Sequence, residues 1–167
     1  GIETASGEII AADTLILATG FVTTEFLPTL EVTGAEGHNL RDIWGASPHA
    51  YKGVAVAGFP NLFMLYGPNT NLGHNSIIFM VERQAEYIAE RAGLILDGGL
   101  KTLSVRAEAE ARYNAALQKR LARTVWAGDC PSWYKTADGI ITQNWEGLAT
   151  GFARTLRRND DADWDAI

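Results

Sequence analysis

The stretch from Leu62 to Leu96 constrains this chain most, because a short apolar run, a polar loop and a long amphipathic segment follow one another without a break. Leu62 to Tyr66, LFMLY, reads as a buried strand: a brief apolar run halted by Gly67 and Pro68 suits the interior of a parallel or mixed sheet. The loop GPNTNLGHNS follows. From Ser76 onward Ile77, Ile78, Val81, Ala85, Ile88, Ala92, Ile95 and Leu96 recur at steps of three and four, with Glu82, Arg83, Glu86, Glu90 and Arg91 between them. That period predicts a helix with one apolar face, ending near Gly98 and Gly99. A strand that turns into a helix in this way is an α/β unit, and α/β is the class expected for the chain.

The flanking segments fit around that unit. Glu8 to Phe21, EIIAADTLILATGF, carries the run Leu15, Ile16, Leu17, Ala18 and predicts a second buried strand, ended by Thr19 and Gly20. Residues 22 to 58 hold many Gly, Pro, Thr and acidic residues with no sustained period, and read as a long connection with short strands at most. A second helix is expected from about Arg106 to Trp126, where Ala109, Tyr113, Leu117, Leu121 and Val125 form a four-residue ladder. Its early acids, Glu108 and Glu110, and late bases, Lys119, Arg120 and Arg123, complement the helix dipole. Gly128 to Arg158 mixes turns and aromatic residues with short strands or one short helix, and residues 159 to 167 read as frayed.

Composition narrows the partners. The chain has 167 residues, 47% of them apolar and 20% charged, enough for one globular core. No apolar run approaches the roughly 18 to 20 residues of a membrane-spanning helix, and residues 1 to 20 lack the basic start of a secretory signal, so a cytoplasmic protein is expected. The net charge of -6 arises in residues 1 to 50, where seven acids face one base, Arg41; the remainder is balanced. An acidic chain without a Lys/Arg stripe argues against nucleic acid as a partner. A single cysteine, Cys130, forms no internal disulfide and anchors no clustered metal site. It lies between Asp129 and Pro131 without a basic activator, which suits a small buried residue better than a reactive thiolate. The start at Gly1, almost directly in a strand-like stretch, suggests a piece of a longer protein.

The chemistry concentrates at the GPNTNLGHNS loop. A helix that follows a strand aims unpaired backbone amides out of the sheet's carboxyl edge, and anions or electron-rich ring carbonyls are stabilised there. Gly67 and Gly73 would let a ligand approach the backbone, and Asn69, Thr70, Asn71 and Asn75 would add donors. Read for structure alone, the same residues make a well-capped turn with Ser76 or Asn75 as N-cap. His74 fits a turn residue better than an acid or base, because no carboxylate stands near it in sequence. Trp133 and Tyr134 suit either stacking on a planar cofactor or packing in a core or lid. Lys135 beside them is a better phosphate contact than Arg157 or Arg158, which read as solvated charges.

Three segments carry a family resemblance: DTLILATGF (Asp13 to Phe21), GFPNLFMLYGPNTNLGHNSIIFMVERQAEYI (Gly58 to Ile88) and the tail SWYKTADGIITQNWEG. Together they resemble the carboxyl-terminal third of flavin-dependent Baeyer–Villiger monooxygenases, from about residue 8 to residue 155. The resemblance implies the carboxyl-terminal part of a flavoprotein with two dinucleotide-binding, Rossmann-like domains, followed by helices and an irregular tail. Residues 1–20 would end the NADPH domain and return to the FAD domain, 21–98 would complete the FAD domain, and 99–167 would form a helix and a lid-like tail. It implies FAD and NADPH as cofactors, O2 and a ketone as substrates, and an ester or lactone product formed through a C4a-peroxyflavin. By the same resemblance Thr19, Gly20, Gly67, Pro68, Asn69, Thr70, Asn71, Leu72, Ser76 and Trp133 lie at the cofactors, Thr70 and Leu72 border the substrate pocket, and Trp133 sits on a mobile loop that holds the nicotinamide cofactor.

Departures from the family pattern matter too. The family's two glycine-rich dinucleotide loops, its fingerprint motif and its catalytic arginine lie upstream of the matched region, so no catalytic residue is assigned in these residues and the upstream part of the same protein becomes a required partner. Cyclohexanone-type members carry a glycine-lysine turn shortly after the matched tryptophan, whereas this chain reads KTADGIITQNWEG, closer to the acetophenone-type and related branches. Two other readings stay open: a flavin monooxygenase of the same scaffold that oxygenates nitrogen or sulfur, and a non-catalytic module that associates with its own copies.

Overall fold

The computed structural model describes residues 1–20, 23, 25–129 and 132–166. Cys130, Phe21 at the end of the first expected strand, and Ile167 at the end of the tail lie outside the described residues. In chain order the elements are β1 (Ile2–Glu3), β2 (Ile9–Ile10), α1 (Leu40–Trp44), α2 (Ile77–Leu96), β3 (Leu103–Val105), α3 (Ala107–Leu121), α4 (Ala149–Leu156) and β4 (Trp164–Ala166). Short 3-10 turns occupy Val125–Ala127 and Asp161–Asp163. β1 pairs antiparallel with β2, and β3 with β4, each as a two-stranded ribbon.

Neither expected buried strand forms. Leu15, Ile16 and Leu17 are 59%, 83% and 76% exposed and belong to no ladder. No neighbouring strand among the described residues meets their backbone, and a strand without a partner has no ladder to join. Leu62 to Tyr66 is likewise irregular: the Met64 N–H donates to the Val54 carbonyl at 2.8 Å, while Leu65 and Tyr66 are exposed and Tyr66 has φ +57°. Its neighbours are turns, so one hydrogen bond replaces a ladder.

The helices follow the sequence more closely. Ser76 caps α2, its hydroxyl accepting the Phe79 N–H at 3.2 Å. The buried side chains of α2, however, are Met80, Gln84, Tyr87 and Arg91, not the aliphatic stripe, and Ile78 and Leu96 stand 69% and 81% exposed. At about 100° per residue the aliphatic stripe is centred roughly a quarter turn away from the face that α4 and the tail cover. α3 ends at Leu121, short of Trp126, because the Thr124 hydroxyl and N–H both bond the Leu121 carbonyl and tighten the chain into a turn. Val125, the last rung of the expected ladder, is 89% exposed, whereas Ala109, Leu117 and Leu121 are buried as expected. The one short helix of the tail is α4.

Two apolar clusters result. The larger joins Met80, Tyr87, Leu117, Leu121, Ile141, Trp145, Phe152 and Trp164, with Phe152 edge-on to Trp145 at 5.3 Å. Full burial of one such ring stabilises by about 2 to 3 kcal/mol. The smaller gathers Leu40, Trp44, Ala50, Val56, Phe59 and Met64, with Phe26, Leu27 and Val32 packed against it, and so orders much of the expected connection. Asn39 caps α1, accepting the Arg41 N–H at 2.9 Å.

The terminal segment is not frayed. β4 returns to β3, and Asp160 is 6% exposed at the centre of a buried polar hub. Its Oδ2 accepts from Lys52 Nζ at 2.6 Å and from the Tyr87 hydroxyl, and its Oδ1 accepts from Arg91 at 2.6 Å. Tyr51 donates to Asp163 at 2.7 Å, and Arg91 reaches Asp161 at 2.7 Å. Burial pushes the Asp160 carboxyl up, but the hydrogen bonds from Lys52 and Tyr87 and the charges of Lys52 and Arg91 outweigh it and hold the group below its ordinary value. An acidic run that composition assigns to solvent is thus fastened to α2 and to the Tyr51–Lys52 turn.

Candidate functional site

The loop Gly67–Leu72 is held by its backbone against residues 141–145. The Asn69 N–H donates to the Thr142 carbonyl at 2.8 Å and the Asn71 N–H to the Gln143 carbonyl at 2.9 Å, while the Trp145 N–H returns to the Asn71 carbonyl at 2.9 Å. Asn71 and Asn144 form a parallel bridge. Side chains reinforce it: Asn69 Nδ2 donates to the Ile141 carbonyl at 2.7 Å, Thr70 to the Gly67 carbonyl at 2.7 Å, and Asn71 Nδ2 to Asn144 Oδ1 at 3.0 Å. The Tyr66 hydroxyl donates to Asn71 Oδ1 at 2.8 Å. Of the polar side chains that the sequence offers to a ligand, Asn69, Thr70 and Asn71 are therefore engaged within the loop and with its neighbour.

Close approach at Gly67 is also internal. A Cβ there would stand 2.5 Å from the Gly53 carbonyl oxygen, and a Cβ on Gly53, which has φ +68°, would stand 2.1 Å from Thr70 Cγ2. Pro68, Asn69 and Thr70 are buried, and Leu72 is 3% exposed in the larger apolar cluster. These residues fix the loop as a rigid floor.

Beyond Leu72 the chain opens. Gly73, His74, Asn75 and Ser76 are exposed, and nothing lies within 4 Å of a Cβ placed on Gly73. The N-cap is Ser76 and not Asn75. A helix start leaves four N–H groups without intrahelical acceptors, and the Ser76 hydroxyl takes one of them. The rest form the positive end of a 20-residue helix dipole at an open mouth.

Residues 141–144 also reach the tryptophan segment. Gln143 donates its side-chain amide to the Thr23 carbonyl, and the Thr23 hydroxyl donates to the Trp133 carbonyl at 2.7 Å. Trp133 is 51% exposed, with its ring 4.1 Å from that of Tyr134 at 33°. Lys135 is turned to the Gly128 carbonyl. Thr19 and Gly20 are exposed, and Gly20 has φ +76°. Arg157 and Arg158 are exposed as expected. The structure thus connects Asn69, Asn71 and Trp133 through Gln143, Asn144 and Thr23, none of which the sequence had singled out. The polar pair Gln143–Asn144, set between Ile141 and Trp145, is the signal that marks them. Asn144 is 1% exposed, and its Nδ2 has no partner among the described residues.

An anchored loop, an open helix mouth beyond it and a tryptophan-bearing segment tied to that loop make up the site. The chain superposes on the closed form of cyclohexanone monooxygenase with a TM-score of 0.77 over 100% of its length and 32% of that chain, at 24% identity. A steroid monooxygenase bound to NADP gives 0.74 over 84% of this chain and 27% of that one, at 22% identity. At these identities the likeness is one of fold. Sequence relatives carry it further. The FAD-binding monooxygenase ktnD of Aspergillus niger is 43% identical over 91% of this chain and 26% of its own length. A Baeyer–Villiger monooxygenase of Pseudomonas aeruginosa is 42% identical over 97% of this chain and 31% of its own length. No family model matches. The chain spans less than a third of the length of these relatives, and it is homologous to the carboxyl-terminal part of the flavoprotein monooxygenases they represent.

Proposed function

We propose that these residues complete the FAD domain and supply the tryptophan-bearing lid of an FAD- and NADPH-dependent monooxygenase that inserts oxygen into a ketone to give an ester or lactone. The observation that carries this reading is the 42% identity with a Baeyer–Villiger monooxygenase over nearly the whole chain. In this reading residues 1–20 return from the NADPH domain, 21–98 complete the FAD domain and 99–167 form the helix and lid. The expected location is the cytoplasm.

The residues present fit a flavin ring. The mouth of α2 is open at Gly73 and offers oriented N–H groups to an electron-rich edge, while the loop before it is rigid. FAD and NADPH supply the electron transfer and the activation of O2. This chain's own share is positioning and shielding. The backbone of Gly67 to Leu72 forms a floor whose shape Asn69, Thr70 and Asn71 maintain, with Thr70 and Leu72 setting its contour toward the substrate. Ser76 and the first turn of α2 stabilise negative charge on the bound ring. Thr19 and Gly20 mark the crossing between domains, and Trp133 covers the nicotinamide and keeps water out. Separated from the upstream glycine-rich loops, the chain is inactive.

Product analysis with the full-length protein tests the reaction. A cyclic or aryl ketone should yield lactone or ester with consumption of NADPH, whereas oxygenation of a sulfide or amine alone would reject the ketone reading in favour of a heteroatom oxygenase. Trp133→Ala should raise the apparent KM for NADPH about fivefold and leave flavin content unchanged, since one aromatic contact is worth roughly 1 kcal/mol. An unchanged KM would remove Trp133 from the cofactor site.

A further inference from the structure

Behind the rigid loop, on the side formed by α1 and α3, lies a second cavity of about 530 Å³. Ile43, Pro48, Ala111, Ala115 and Ile140 give it largely apolar walls, and Asn69 alone connects it to the loop described above. Ser47, Asn114 and Gln118 also line it, and one ionisable pair stands in it. Glu110 on α3 is 4% exposed, and its carboxylate accepts the Ala57 N–H at 2.7 Å through Oε2 and meets His49 Nδ1 at 2.8 Å through Oε1. Glu110 Oε1 faces Nδ1 of His49, which leaves Nε2 as the ring edge open to hydrogen-bond a ligand. Nε2 has no partner among the described residues, and the His49 side chain is 39% exposed. A buried carboxylate that orients an imidazole beside an apolar hollow of ligand size is more than a helix-to-turn tie needs, since the Ala57 N–H already makes that tie.

We propose that this cavity is a binding site for a small apolar alcohol, a ring or short chain whose hydroxyl hydrogen-bonds His49 Nε2 while its hydrocarbon body fills the space between α1 and α3. The polarity of the pair selects the ligand. A hydroxyl both donates and accepts and so meets Nε2 in either protonation state, which a ketone or ether, an acceptor alone, does not, and a carboxylate would stand close to the Glu110 carboxylate. The site is distinct from the open mouth of α2 and does not depend on the redox reading of that mouth.

The test is calorimetric titration of the full-length, flavin-loaded protein with cyclohexanol, and with cyclohexanone as the matched probe lacking a hydroxyl. Cyclohexanol should bind with one site that His49→Phe weakens about tenfold, the equivalent of one lost hydrogen bond. Ala115→Leu, which adds bulk to the cavity wall and leaves the His49–Glu110 pair intact, should weaken it by a similar factor, and Trp133→Ala should leave it unchanged. If His49→Phe lowers flavin content or Tm, Ala115→Leu alone decides. Absence of any saturable heat with cyclohexanol, equal affinity in Ala115→Leu, or loss of binding in Trp133→Ala would overturn the proposal. Because the readout is binding heat, a failed monooxygenase assay and a failed alcohol site remain separate results.

Discussion

Asp160 shows how one side chain changes the meaning of a segment. Its carboxylate collects Lys52, Arg91 and the Tyr87 hydroxyl in a region where all three are buried. Removing its charge leaves buried Lys52 without its ion-pair partner and Arg91 with Asp161 alone, and breaking such a buried set costs about 3 to 5 kcal/mol. Asp160→Asn should therefore lower unfolding stability by that amount in urea titrations at neutral pH. The pH dependence has a definite sign. Because the folded-state value lies below the ordinary 3.8, the unfolded chain takes up the proton first as acid is added. The stabilisation is complete above the ordinary carboxylate range and is lost as pH falls through it toward the lowered folded value. Between about pH 5 and pH 2 the native protein should lose stability more steeply than Asp160→Asn; parallel curves would remove Asp160 as the source.

Among the elements, α2 is both the most legible and the most misleading. Its start, its cap and its length follow from Ser76 and the spacing of Ile77 to Leu96, because these are local features that need no partner. Ser76→Ala should cost about 1 kcal/mol of stability, read from the urea midpoint, and an unchanged midpoint would mean that the exposed first turn frays without consequence. Its buried face was not legible. Tyr87 and Arg91 turn inward because Asp160 and Trp164, far later in the chain, supply the partners. The same non-local cause hides Gln143 and Asn144, whose importance arises only when Asn69 and Asn71 fold against them. It also explains the two strands that do not form: Leu15 to Ala18 and Leu62 to Tyr66 have strand composition, but a strand exists only with a neighbour, and periodicity is silent about neighbours. The polar loop, by contrast, stood out by residue type, although its asparagines act on the chain itself.

At the scale of the whole molecule two apolar surfaces have no cover among the described residues. Leu15, Ile16 and Leu17 form one exposed apolar run, and the aliphatic stripe of α2 from Ile78 to Leu96 is only partly covered. In a longer protein homologous to these relatives, such a strand composition and such a helix face are what a sheet with covering helices buries. In the 167-residue chain alone they face water, and contiguous apolar surface of this kind drives association. Sedimentation velocity on the isolated chain should show dimers or larger species that grow with concentration, and Leu15→Asp combined with Leu17→Asp should shift the distribution toward monomer, because charge on an unpaired edge blocks pairing. The same pair of substitutions in the full-length protein should act in the opposite sense, lowering Tm and flavin content by burying two charges where the run is covered. A strictly monomeric wild-type chain at high concentration, or a full-length double variant with normal Tm, would show that this run is a solvent-facing segment in both settings and not the edge at which the two parts of the protein join.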